Sequence, residues 1–178
     1  MLNDFLDRWP PTARINLIDS INALAAEMRK RGFPVIWVRQ EFEEDLRDAF
    51  LETRAKNIHI TIRGTRGSEM ARELNVDPSD LIVVKKRYSG FYRTNLDDLL
   101  AGLRVDALLV AGINTHACVR MTAIDAYQRD WPVVVAADCV DSYDREHHEV
   151  SVRYLKGGIA SVLSNSEIVA LLTAAKEA

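Results

Sequence analysis

Two cysteines, Cys118 and Cys139, are all that a chain of 178 residues carries. Two cannot build a disulfide framework, and no Cys-x-x-Cys spacing offers a zinc clamp. A reducing, cytoplasmic setting is the expectation, because a free thiol survives there. Positive charge is also scarce: 23 Lys plus Arg stand against 26 Asp plus Glu, a net charge of −3. With no basic run, the chain has no surface suited to nucleic acid or an anionic membrane. Long apolar runs are missing too. No stretch approaches the length of a membrane span, and the N-terminus lacks a charged-then-apolar signal pattern. Repeats and low-complexity segments are absent. What is left is a globular composition, 48% hydrophobic and 28% charged, expected to form one domain over 1–178 with a small molecule as its partner.

Apolar runs alternate with helical patterns. Ile18, Ile21, Ala25 and Met28 recur at helical spacing over 12–31, with Pro10 and Pro11 at the start and Gly32 after the end. The runs 34–38, 81–84, 107–111, 132–137 and 159–163 read as buried strands. Helices are expected at 95–103, 115–128, 145–156 and 166–175. Residues 41–80 are charged and mixed, and read as loops and short helices with one brief strand near 58–62. Short continuous apolar strands separated by helices predict an α/β fold of three layers. Its doubly wound, mostly parallel sheet has helices on both faces. Chemistry in such sheets gathers at the carboxyl ends of the strands, here after Val38, Val84 and Ala111.

The segment Ala111-Gly112-Ile113-Asn114-Thr115-His116-Ala117-Cys118-Val119 is the strongest of the three. A strand ends, a glycine permits a sharp turn, and a cysteine enters the first turn of a helix. Unpaired N–H groups and partial positive charge at a helix start favour thiolate, and the same N–H groups can hold an oxyanion. Most cysteines are small buried hydrophobes, and it is the turn that tips this one towards chemistry. Lys85 leaves the end of a strand at the same edge, where a lysine can stabilise thiolate or shuttle a proton. Lys86 and Arg87 read as solvated turn residues. His147 and His148 diverge on a helix and read as solvated surface. His116 reads as structural or pocket-lining, Cys139 as packing, and Gly64-Thr65-Arg66-Gly67 as a plain turn.

Lys85, Tyr88, Ser89 and Phe91, together with 112–119 and Thr122-Ala123-Ile124-Asp125-Ala126, resemble the isochorismatase-like cysteine hydrolases. That superfamily includes nicotinamidases, N-carbamoylsarcosine amidohydrolases, ureidoacrylate hydrolases and isochorismatases. Asn3-Asp4-Phe5 and Ala137-Asp138 extend the resemblance along nearly the whole chain. It implies Cys118 as nucleophile, Lys85 as catalytic lysine and a cis peptide between Ile113 and Asn114. The N–H groups of Asn114 and Cys118 would face the oxyanion, and Phe5 and Tyr88 would line the pocket. The implied reaction is hydrolysis of an amide, carbamoyl or ureido carbon–nitrogen bond through a thioester. Nicotinamidases carry histidines after their second strand, whereas Val38–Glu43 holds none. The expectation is therefore a metal-free enzyme without a cofactor, with Arg39 and Glu41 near the substrate or in a solvated loop. A homodimer or homotetramer is also implied. One part of the pattern is missing. In register, the catalytic aspartate of the family falls one residue before Met1, and the first central strand before that. The expectation is a natural chain that starts upstream. The alternatives are a vinyl-ether hydrolase of the isochorismatase type, or a degenerate binding or assembly member.

Overall fold

A computed structural model describes residues 1–177. In order the elements are α1 (Asn3–Leu6), α2 (Pro11–Lys30), β1 (Ile36–Gln40), α3 (Leu51–Ala55), β2 (Leu81–Lys85) and α4 (Leu96–Leu103). Then come β3 (Leu108–Ile113), a π-turn (Thr115–Val119), α5 (Arg120–Tyr127), β4 (Val133–Asp141), α6 (Arg145–Lys156), β5 (Ser161–Leu163) and α7 (Asn165–Glu177). All strand pairs are parallel, and they form two sheets: β1 with β2, and β3-β4-β5.

Helices cover both faces. On one, Leu17, Ile18, Ile21 and Leu24 of α2 and Ile168 of α7 pack on Trp37 of β1 and on Ile113, Ala136 and Cys139 of the second sheet. On the other, Leu96 and Leu100 of α4, Ala123 and Ala126 of α5 and Leu155 of α6 pack on Val83, Val133 and Val135. Both cores draw on both sheets, so the two sheets share their covering layers. The α2 helix follows from its apolar spacing, with proline at its first position and Gly32 at φ 82° behind it.

Several expectations need correction. The run at 34–38 is a strand two residues later, at Ile36–Gln40, and is not fully buried: only Trp37 and Gln40 are. Leu108, Leu109 and Val110 of β3 are half-buried, and Ala111 is exposed. Among the described residues β1 pairs only with β2, and β3 only with β4. No strand forms at 58–62; Ile62 makes a single parallel bridge to Phe42 instead. That segment folds over its own small core of Phe42, Leu46, Ala49 and Ile62. The β4 strand runs on to Asp141, and it does so through an irregularity. Val110 faces Val135, but Gly112 already faces Val140. This slip carries Asp141 alongside Ile113, next to the cysteine turn.

Candidate active site

The cysteine turn starts at Gly112, whose φ of 114° suits glycine alone. A Cβ there would meet nothing within 4 Å, so the glycine serves the backbone direction and not a close contact. The peptide bond between Ile113 and Asn114 is cis. The Asn114 carbonyl then accepts hydrogen bonds from the N–H groups of both Ala117 (3.1 Å) and Val119 (3.3 Å). This wide π-turn replaces the plain helix start expected at 115, and such turns recur at functional sites. It holds Cys118 half-buried and unpaired with any other sulfur. Thr115, by contrast, is completely buried.

Lys85 is the last residue of β2. It is only 5% exposed, and its ammonium donates to the Tyr88 carbonyl at 2.5 Å. That bond folds the Lys85–Ser89 segment back over the strand end. The Tyr88 ring stays half-exposed and stacks at a tilt on Phe50, 4.8 Å away. Burial pushes the Tyr88 phenol above its ordinary pKa. Burial lowers the pKa of the Met1 amino group to about 6. Phe5 packs half-buried against the α2-side core.

Arg39 and Glu41 do not form a solvated loop. Glu41 is 6% exposed and pairs with Arg39 (3.0 Å) and Arg63 (2.9 Å). The Nε of Arg39 is buried without a hydrogen-bond partner. Lys86 and Arg87 are likewise tied down. Lys86 donates to the Glu41 carbonyl and pairs with Asp48, while Arg87 donates to the Asp48 carbonyl and lies over the Phe50 ring. Asp4 accepts the Thr61 N–H at 2.6 Å, so it fastens the loop and is not aimed at the thiol by that bond.

The histidines also differ from expectation. His147 is exposed, but His148 turns inward, with only 13% of its side chain exposed. Its Nδ1 lies 3.0 Å from the Thr115 hydroxyl and 3.8 Å from Asp141. The Nδ1 of His116 lies 2.8 Å from the Ser142 hydroxyl, and the His116 ring meets Tyr143 edge-on at 5.1 Å. Burial lowers the pKa of both imidazoles, which keeps them uncharged at neutral pH. Sequence spacing alone could not show this, because the partners of these histidines, Ser142 and Thr115, lie 26 and 33 residues away along the chain. Cys139 is fully buried, donates to Asn165, and is pushed by burial up to about 11. It is packing, as expected.

A half-buried thiol thus sits on the wide turn after β3, and a buried lysine closes β2. Among the described residues, no three His, Cys, Asp or Glu side chains converge as metal ligands would, and no helix is long and apolar enough to cross a membrane.

Comparison with known proteins identifies the family and the fold. The Isochorismatase domain model matches residues 1–167. A protein of Arabidopsis thaliana named "Probable inactive nicotinamidase" is 31% identical over 165 residues, covering 88% of this chain and 84% of its own. The crystal structure of an isochorismatase family protein from Desulfovibrio vulgaris superposes with a TM-score of 0.88 at 27% identity, over 97% and 94% of the two chains. That of N-carbamoylsarcosine amidase from Thermoplasma acidophilum gives 0.78 at 27% identity, over 93% and 92%. The chain belongs to the isochorismatase family, and its α/β fold is that of these structures.

Proposed function

We propose that this member of the isochorismatase family hydrolyses a carbon–nitrogen bond of a small amide, carbamoyl or ureido compound, with Cys118 as nucleophile. The observation that carries the reading is the half-buried thiol in a widened turn at the carboxyl end of β3, with a buried lysine at the carboxyl end of β2. The relationship to N-carbamoylsarcosine amidase favours a carbon–nitrogen bond over a vinyl ether.

The Cys118 sulfur attacks the carbonyl carbon, and its electron pair passes to the oxygen. N–H groups of the 114–118 turn hold that oxyanion. The carbon–nitrogen bond breaks, and the amine or ammonia leaves with a proton. Water then attacks the thioester, releasing the acid and regenerating the thiol. Lys85, buried beside these charges, stabilises them. The remaining part is a carboxylate that carries the proton between thiol, leaving group and water. No step is routed through a metal, because the 38–43 segment lacks the histidines that nicotinamidases carry there.

The test is a screen of small amides, carbamoyl and ureido compounds for released ammonia, with wild type beside Cys118→Ala. Turnover lost in a folded alanine variant is the expected result. An alanine variant as active as wild type refutes nucleophilic catalysis. A second reading, a binding member without turnover, is favoured by the inactive name of the Arabidopsis relative. Its signature is wild-type protein that binds members of the panel and releases no ammonia from any.

A further inference from the structure

We propose that His148 is a positioning residue for the cysteine turn, holding the oxyanion donors in place through the Thr115 hydroxyl. The inference rests on the reading of Cys118 as nucleophile and adds a residue to it.

Three consecutive stretches of chain meet at this turn. Asp141, at the end of β4, lies beside Ile113 in register. Its Oδ1 accepts the Ser142 N–H at 2.8 Å and stands 3.8 Å from the His148 Nδ1. Ser142 in turn sits 2.8 Å from His116 and accepts the His116 backbone N–H at 3.4 Å. His148 reaches in from α6, one turn past the Asp144 cap, and meets the Thr115 hydroxyl at 3.0 Å. So 113, 115 and 116 are each fastened to a group on β4, on α6 or on the segment between them, and Cys118 follows two residues later.

The contact with Thr115 is the one that matters most. Thr115 is completely buried, and among the described residues its hydroxyl has only His148 as a side-chain partner. A buried hydroxyl without a partner is costly, so losing the imidazole forces the turn to move or admit water. The Asp141 carboxylate near Nδ1 favours the tautomer with its proton there, which donates to Thr115. Arg145 and Glu149, also on α6, act on the ring in opposite directions and are bonded to each other at 2.9 Å. His148 touches no reacting atom in this scheme. It acts through Thr115 on the N–H groups of the same turn.

Two reagents separate this role from general packing. p-Nitrophenyl acetate acylates a cysteine through a tetrahedral oxyanion. Iodoacetamide alkylates the same sulfur without one. His148→Ala should slow the acylation burst on the order of 10²-fold, the effect of a misplaced turn, while the iodoacetamide rate at Cys118 stays within about two-fold, since alkylation makes no use of oxyanion donors. His148→Asn places an amide N–H near the old Nδ1–H and should recover most of the burst. His148→Gln should not. Thr115→Val should match His148→Ala, and the double variant should be no slower than either, because both cut one link.

Equal acylation in His148→Ala and wild type overturns the inference, and so does a parallel fall in both reagents. If wild type shows no burst that depends on Cys118, the nucleophile reading fails, and the clamp is judged by hydrogen exchange across 113–119. Faster exchange there in His148→Ala and Thr115→Val, with His148→Asn close to wild type, supports it. Unchanged exchange in His148→Ala and Thr115→Val overturns it.

Discussion

Replacing Asp80 by alanine should destabilise the protein heavily at neutral pH and much less in acid. Asp80 precedes β2, its side chain is 1% exposed, and it gathers four donors. Arg29 of α2 donates through Nε (2.8 Å) and Nη2 (2.5 Å), the Trp37 indole of β1 at 2.6 Å, and the Asp77 N–H at 3.0 Å. The Arg29 and Trp37 bonds, with the Asp77 N–H, hold the Asp80 carboxyl well below the ordinary range, at about 2. Alanine leaves a largely buried guanidinium and an indole N–H without their partner, a change that costs about 3–5 kcal/mol. The sign with pH follows from linkage. A depressed carboxyl contributes stability that is full above its unfolded value near 3.8 and lost as pH falls through about 2. The gap between wild type and Asp80→Ala should therefore narrow by about 1 kcal/mol between pH 6 and pH 3. Urea unfolding of both proteins at the two pH values reads it directly. A gap under about 0.5 kcal/mol at pH 6 is within the range of an ordinary surface change and refutes the energetic argument. A large gap that ignores pH refutes the assignment to the carboxylate.

Three further outcomes are expected. At pH 8, iodoacetamide should label Cys118 rapidly and Cys139 hardly at all. A thiol held at about 11 is thiolate about once in a thousand molecules at that pH, and peptide mapping shows which residue reacts. Gly112→Ala should cost about 1–3 kcal/mol from its φ of 114° alone. It should also slow Cys118 acylation; a variant as stable as wild type by thermal melt shows that the backbone there is not demanding. Lys85→Met should lower the rate of amide cleavage at least ten-fold while keeping the fold, since methionine fills the buried stem; unchanged turnover removes Lys85 from the mechanism.

Much of the layered fold was legible because period and punctuation agreed. The α2 helix announced itself through Ile18, Ile21 and Ala25 and its flanking prolines and glycine, and the strands through short apolar runs. Cys118 and Lys85 were legible for a local reason: each follows a strand on its own segment. What stayed hidden depends on partners distant in sequence. Glu41 reads as a loop acid until Arg39 and Arg63 converge on it. His148 reads as surface until Asp141 and Thr115 are brought to it. The extension of β4 to Asp141 was unreadable because Ala137 and Asp138 are exposed in mid-strand, which interrupts the apolar run.

The two halves of the site stand on different sheets. Lys85 ends β2 in one, and the cysteine turn follows β3 in the other. Among the described residues no ladder of backbone hydrogen bonds joins the two sheets, so their spacing is set by side chains packed across both, Trp37 with Ile113 on one face and Val83 with Val135 on the other. Within each half the fastening is polar and specific. Asp80 binds β1 to α2, and Asp141, Ser142 and His148 bind the cysteine turn to β4 and α6. Packing fixes a distance less sharply than a hydrogen-bonded ladder does, because side chains can repack with little loss of stability. The geometry between thiol and lysine is therefore the softest dimension of the site.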